Sequence, residues 1–177
     1  MRAIVLVNAY LRQSGMIRQA ERVREELCAR GVDAVVEKNG NFLSYVRKNS
    51  ITVEEKCDFV VYLDKDKYLP RMLEARGLRL FNRAEAVELC DDKMYTVLAL
   101  ADKGLHLPDT VAAPLCYYPD ARIPQSFVRG VGERLGYPLI VKKSFGSWGM
   151  DVRLVRDEAS LAAVAEEFRT EPHLFQK

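Results

Sequence analysis

The chain has 177 residues, of which 49% are hydrophobic and 29% are charged, a composition typical of a globular protein rather than a disordered one. Its formal net charge of +2 argues against nucleic acid or a membrane surface as a partner. The first apolar run, residues 3–7, is too short for a secretory signal or a membrane span. Four widely spaced cysteines and two histidines show no metal-ligand spacing, so we expect a cytoplasmic protein.

The first half of the sequence predicts a small α/β domain. Residues 3–7 form a continuous apolar run, which is typical of a strand buried on both faces of a parallel sheet. Helical spacing follows at residues 16–30, and Gly31 is placed to end that helix. The pattern predicts further strands at residues 32–36, 59–63 and 78–81, and a helix at residues 68–76. Residues 42–47 are predicted as a short helix or an ordered loop.

Polar residues follow two of these strands. Asn8 comes after the first strand and Asp64 after the strand at residues 59–63, at the edge of the sheet where ligands collect in doubly wound folds. Asn8 is either a ligand contact or a polar residue that closes a turn. Asp64 either caps the next helix or faces a substrate amine or cation. No Gly-x-Gly-x-x-Gly follows the first strand, so a dinucleotide site is unsupported.

The second half contains a strand, a loop of small residues and another strand. Leu139 to Val141 lead into two lysines, and Val152 to Val155 form the returning strand. The loop between them is rich in serine and glycine, which lets backbone N–H groups approach a ligand. Such a loop beside a lysine suits a chain of phosphates. The alternative is a β-hairpin whose glycines serve turn geometry alone.

Several segments, in order, resemble those of ATP-grasp carboxylate–amine ligases, and especially RimK-type ligases, which add glutamate to an amine. They are the helix that leads into Asp92-Lys93, the Pro-x-Thr passage at residues 104–110, the strand at 138–142, the loop at 146–152 and the strand beginning at 174. The resemblance implies a pre-ATP-grasp, mostly parallel α/β domain at residues 1–82. It also implies the first α+β half of an ATP-grasp domain at residues 83–177, cut at the hinge strand.

The resemblance also implies roles for individual residues. Lys93 and Lys142 would hold the ATP phosphates, and Ile140 would form a wall for the adenine ring. Gln176 and Lys177 would lie at the hinge, where main-chain groups bind adenine. The loop that closes over the phosphates would comprise Ser144, Gly146, Ser147, Trp148 and Gly149.

Two residues depart from the RimK pattern, and two others have ordinary structural alternatives. Asp151 stands where that pattern has glycine, and we exclude it from the contacts because a carboxylate repels phosphate. Lys177 replaces the glutamate of many relatives, so only its backbone role carries over. Lys93 could instead be a solvated helix lysine, and Trp148 could be an anchor packed on the domain.

The implied activity is ATP-dependent amide bond formation through an acyl phosphate, between a small-molecule or peptide carboxylate and an amine. The Mg²⁺ ligands of the family are expected downstream of residue 177. We therefore expect a non-catalytic N-terminal fragment with no catalytic residue and no metal ligand of its own. One alternative is a nucleotide-binding regulatory module on the same scaffold. Another is a plain doubly wound binding domain.

Overall fold

The apolar runs of the first half of the chain form a four-stranded parallel sheet in the computed structural model, which describes residues 1–177. The elements of this part of the chain are β1 (Arg2–Val7), α1 (Ser14–Ala29), β2 (Asp33–Lys38), β3 (Ser44–Arg47), β4 (Ser50–Val53), β5 (Phe59–Tyr62), α2 (Tyr68–Ala75), β6 (Arg79–Phe81) and α3 (Ala84–Asp91). The strand order in the parallel sheet is β2-β1-β5-β6.

The central strand β1 is buried on both faces, as its unbroken apolar run predicts. Ile4 and Leu6 pack into one apolar cluster, and Val5 and Val7 pack into a second cluster on the opposite face. Because β1 pairs in parallel with β2 and β5, the carboxyl ends of these three strands meet at one edge of the sheet.

A two-stranded antiparallel hairpin, β3–β4, occupies residues 44–53. The prediction of a short helix or an ordered loop at residues 42–47 is therefore wrong. The two central turn residues, Lys48 and Asn49, have φ values of 49° and 63°, as a type I′ hairpin turn requires. This turn lacks the glycine that normally identifies it in a sequence, so the local signal for a hairpin is absent.

The second half of the chain forms a four-stranded antiparallel sheet with helices. Its elements are α4 (Lys93–Leu100), β7 (Thr110–Ala112), α5 (Gln125–Leu135), β8 (Leu139–Lys143), β9 (Val152–Val155), α6 (Glu158–Phe168) and β10 (His173–Gln176), and the strand order in the sheet is β7-β10-β8-β9. Side chains of α5 and α6 form the core together with Leu139, Val141 and Phe175 of the sheet. Asp157 caps α6: its carboxylate accepts from the Ser160 N–H at 2.7 Å.

The chain divides into two compact units, Met1–Glu88 and Leu89–Lys177. The predicted α/β fold class is confirmed, with a parallel sheet in the first unit and a helix-backed antiparallel sheet in the second. The sequence places the division at residue 82, six residues earlier than the division between the compact units. None of the helices is long and apolar enough to cross a membrane.

His173 lies in the core of the second unit between the rings of Phe168 and Phe175, with centroid distances of 6.1 and 5.3 Å. Its Nδ1 donates to the Glu171 carbonyl at 2.8 Å, and its buried Nε2 has no hydrogen-bond partner. Burial lowers the pKa of His173 from its ordinary value of 6.5, so the folded protein holds this ring neutral.

This burial predicts a pH-dependent stability. Between the lowered folded pKa and about 6.5, the unfolded chain binds a proton that the folded chain excludes, so the free energy of unfolding should fall as the pH drops below about 6.5. Denaturant titrations should show that His173→Gln removes this component, which is at most about 1.4 kcal/mol per pH unit. His106→Gln, at an exposed histidine, is the matched control and should leave the slope unchanged. Equal slopes for wild type and His173→Gln would contradict the assignment.

Candidate functional site

Helices α5 and α6 cover one face of the sheet of the second unit. The candidate site lies on the opposite face of that sheet. Leu139 and Val141 point into the helix-backed core, so the alternation of strand β8 places Ile140 and Lys142 on the other face. In the register of β10 against β8, Gln176 lies opposite Ile140 and Leu174 opposite Lys142. We call this surface, which carries Ile140, Lys142, Gln176 and Thr110, the open face.

A chain of hydrogen bonds crosses the open face from β8 to β7. Lys142 Nζ donates to Gln176 Oε1 at 2.5 Å, and Gln176 Nε2 donates to Thr110 Oγ1 at 3.0 Å. Thr110 Oγ1 in turn donates to the Pro108 carbonyl at 2.8 Å. Gln176 is only 6% exposed, so its amide has few positions available. Lys142 is thus held in place by a neutral group.

Lys143 points away from the open face. Its ammonium pairs with Glu171 at 2.8 Å and with Asp151 at 3.4 Å, and lies 5.1 Å from the centroid of the Phe168 ring. The hydrogen bond to Glu171 raises the pKa of Lys143. Asp151 is therefore engaged by Lys143.

Lys93 begins helix α4 and reaches the loop after β8. Its backbone N–H donates to the Ser144 carbonyl at 3.0 Å, and its Nζ donates to the carbonyls of Ser144 at 3.3 Å and Gly146 at 2.9 Å. The buried Asp92 fixes this helix start as its N-cap, accepting from the N–H groups of Met94 and Tyr95. The alternative of an ordinary solvated lysine does not describe Lys93.

The loop between β8 and β9 is anchored at its ends and exposed at its tip. Ser144 is buried, and its N–H donates to the Pro172 carbonyl at 2.7 Å. Gly146 and Gly149 have φ values of 111° and 71°, conformations that favour glycine. Trp148 is 82% exposed with φ 66°, so it is not an anchor packed on the domain. Ser147 lies beside it at the exposed tip.

The end of strand β10 has part of its main chain already engaged. The Lys177 N–H donates to the Asp109 carbonyl at 3.0 Å, and the Lys177 ammonium lies 3.4 Å from the Pro138 carbonyl. The predicted main-chain role of Lys177 is therefore limited to its carbonyl group.

In the first unit, the two candidate substrate contacts lie together at the carboxyl edge of the parallel sheet. Asn8 Nδ2 donates to both carboxylate oxygens of Asp64, at 3.0 and 3.3 Å, and Asn39 Nδ2 donates to the same carboxylate at 2.7 Å. The alternative role of Asp64 as a helix cap is wrong, because Asp66 accepts from the Tyr68 N–H at the start of α2. Asn8 also takes its turn-closing role, since its Oδ1 accepts from the Tyr10 N–H.

Sequence reasoning missed three parts of these arrangements. Asn39 was not among the predicted contacts, although it follows β2 just as Asn8 follows β1. Thr110 stood in the Pro-x-Thr passage without a role, and the side chain of Gln176 was not considered. Because Asn39 directly follows a parallel strand, as Asn8 does, its position could have identified it as a candidate site residue. No local signal joins Thr110 to Gln176, because the two are 66 residues apart.

Known proteins resemble this chain in sequence and in fold. No model of a protein family matches it. It is 37% identical over 120 residues to Beta-citrylglutamate synthase B of Homo sapiens, and 35% identical over 118 residues to N-acetylaspartylglutamate synthase A of Homo sapiens. It is 34% identical over 90 residues to a glutamate–LysW ligase of Sulfolobus acidocaldarius. These alignments cover 66%, 66% and 51% of this chain, and in each case the chain spans 29% of the relative's length.

Solved structures match the whole chain. A RimK domain ATP-grasp protein from Sphaerobacter thermophilus has a TM-score of 0.70 at 20% identity, covering 100% of this chain and 64% of that one. A D-alanine–D-alanine ligase from Bacillus anthracis has a TM-score of 0.70 at 17% identity, covering 100% and 57%. At 20% and 17% sequence identity, this structural similarity establishes the fold alone. Together with the sequence relatives, it confirms the predicted resemblance to RimK-like ATP-grasp ligases.

The cap at Asp92 predicts a local stability effect. Asp92→Ala removes the acceptor for two N–H groups at the start of α4 and should lower the free energy of unfolding by about 1 kcal/mol. Hydrogen exchange of the Lys93 amide, which bonds to Ser144, should become faster. Asp92→Ser keeps a capping oxygen and should retain most of the stability. Equal losses in the alanine and serine variants would argue against the capping role.

Proposed function

From the relation of this chain to the RimK-like ATP-grasp ligases, we propose that the whole protein is an ATP-dependent carboxylate–amine ligase. The chain spans 29% of the length of the curated relatives quoted above, so the proposal concerns the protein beyond residues 1–177 as well. Those relatives are named as synthases and ligases of glutamate-containing products or partners. A carboxylate and an amine, one of them glutamate or a peptide, are the substrates that we propose.

The observation that carries this proposal is that Lys93 bonds to the loop after β8, while Lys142 lies on β8 itself, just before that loop. Lys142 stands two residues before Ser144 on β8, and Lys93 bonds to the carbonyls of Ser144 and Gly146 from another helix. A lysine bonded to a glycine-containing loop, with a second lysine on the strand that leads into that loop, is an arrangement suited to a chain of phosphates. A plain hairpin turn would not need a second lysine from elsewhere in the sequence.

We assign the remaining nucleotide contacts by their place around these lysines. Ile140 lies on the same face as Lys142, where it provides an apolar surface for an adenine ring. Gln176 and Lys177 end the adjacent strand, where the Lys177 carbonyl would accept from the exocyclic amine of adenine. The loop residues Ser147, Trp148 and Gly149 are exposed and close over the phosphates.

The proposed reaction needs no nucleophilic side chain. A substrate carboxylate oxygen attacks the γ-phosphorus of ATP and ADP leaves; the amine nitrogen then attacks the acyl carbon, phosphate leaves, and the amine loses a proton. Lys93 and Lys142 act by holding the phosphates in line and by stabilising the negative charge that develops during transfer. Closure of the loop excludes water, which would otherwise hydrolyse the acyl phosphate.

Magnesium is not supported by the donor set of this chain. No group of three or more His, Cys, Asp or Glu side chains is arranged to hold a metal ion. Residues 1–177 therefore do not fit the role of a Mg²⁺ cage, and no step above depends on one. The cysteines Cys28, Cys57, Cys90 and Cys116 are all free thiols, which favours a reducing cytoplasmic location.

Asn8 and Asp64 remain proposed substrate contacts in the first unit. Both side chains are partly exposed at the carboxyl edge of the parallel sheet. The Asp64 carboxylate already accepts from two amide side chains and from the Lys65 N–H, so it is held rigid. A substrate amine is the group that this carboxylate could still accept from.

The proposal predicts that the whole protein binds ATP through Lys142. Lys142→Ala should weaken the binding of a non-hydrolysable ATP analogue by at least about tenfold, as expected for a lost charge-assisted hydrogen bond. Calorimetry measures the affinity. Lys143→Ala is the matched control: its ammonium pairs with Glu171 away from the open face, so it should change the affinity much less.

A turnover assay tests the reaction class. ADP release should require both a carboxylate and an amine, with glutamate as the first compound to try in either role. Absence of ATP binding by the wild-type whole protein would contradict the proposed function. Binding without turnover on any carboxylate–amine pair would favour a regulatory nucleotide-binding module instead.

A further inference from the structure

The hydrogen bonds across the open face have directions that chemistry alone determines. The Pro108 carbonyl can only accept, so the single proton of the Thr110 hydroxyl is donated to it at 2.8 Å. The Thr110 oxygen must then accept its other bond, from the Gln176 amide nitrogen at 3.0 Å. The carboxamide oxygen of Gln176 is left facing Lys142 Nζ at 2.5 Å.

We propose that Thr110 is a positioning residue for the nucleotide site: it fixes the Gln176 amide so that its oxygen holds the Lys142 ammonium on the open face. The inference rests on the proposed function, because Lys142 is the phosphate ligand assigned there. Thr110 itself touches no nucleotide in this scheme. It acts on Lys142 through the orientation of one buried amide.

The orientation matters because the two ends of an amide have opposite effects on an ammonium group. With its oxygen towards Lys142, Gln176 accepts a charge-assisted hydrogen bond. A rotated amide would place two N–H donors against the ammonium and would leave a buried amide oxygen without its partner. Gln176 is only 6% exposed, so water cannot readily compensate for the wrong orientation.

The neutrality of the amide matters as much as its direction. Lys143, one residue further along β8, has its charge compensated by Glu171 and Asp151. The partner of Lys142 is an uncharged amide, which restrains the ammonium without cancelling its charge. The full charge of Lys142 is therefore available to an incoming phosphate. One strand thus carries one lysine used for structure and one kept for a ligand.

The experiment measures two ligands against three variants of the whole protein. Thr110→Val removes the hydroxyl but keeps the shape of the side chain. It should weaken the binding of a non-hydrolysable ATP analogue by about tenfold. The affinity for adenosine, which has no phosphates, should stay the same. Thr110→Ser restores the hydroxyl and should restore the ATP affinity. Thr52→Val, at a half-buried strand threonine of the first unit, is the matched control and should change neither affinity.

A second residue tests whether Thr110 acts through the amide. Gln176→Glu presents oxygen in either orientation but neutralises Lys142, so the ATP analogue should bind about tenfold more weakly with adenosine unaffected. In that background Thr110 no longer selects an orientation, and adding Thr110→Val should cause little further loss. Fully additive losses in the double variant would overturn the coupling.

The remaining outcomes separate this inference from the proposed function. If the wild type binds the ATP analogue and Lys142→Ala weakens it, but Thr110→Val does not, the positioning role is overturned and the proposed function stands. If Thr110→Val weakens the binding of the ATP analogue and of adenosine equally, Thr110 has only a general structural role and the inference is overturned. If the wild type binds no ATP analogue, both are overturned.

Discussion

The antiparallel register of β10 against β8 is the constraint on which the candidate site depends. Because Leu174 lies opposite Lys142 and Gln176 opposite Ile140, the side chains of Ile140, Lys142 and Gln176 share the open face. A slip of one residue would turn Lys142 into the helix-backed core and bring Lys143 to the open face. Val141 and Phe175 face each other on the helix-backed side of the sheet. The slip is unfavourable because it would remove these apolar side chains from the core.

This register separates two neighbouring lysines into different chemical environments. Lys143 joins Glu171 and Asp151 in a surface cluster that ties the end of the loop to the strand. Lys142 remains with a neutral amide whose direction is set by Thr110. The stability of the sheet and the availability of a cation for a ligand thus come from the same alternation of side chains. Lys93 adds a second cation from a helix whose start is fixed by Asp92.

The sequence was sufficient for features with a local signal. The period of two along β8 is sufficient to place Ile140 and Lys142 on one face, and the apolar run at residues 3–7 predicted the central parallel strand. Features that join distant segments were not predictable in this way. The contact between Gln176 and Thr110 depends on the pairing of β10 with β7, and the hairpin at residues 44–53 turns at Lys48-Asn49 without glycine. Asp66, rather than Asp64, accepts from the first N–H groups of α2, those of Tyr68 and Leu69.

The most direct test of the central claim is an experimental structure of the whole protein with a non-hydrolysable ATP analogue. The account predicts that the phosphates lie on the open face, within hydrogen-bond distance of the ammonium groups of Lys142 and Lys93. It also predicts that Lys93 Nζ exchanges at least one of its hydrogen bonds to the loop carbonyls for a hydrogen bond to a phosphate oxygen. A nucleotide bound elsewhere, or one that contacts Lys143 in place of Lys142, would contradict it.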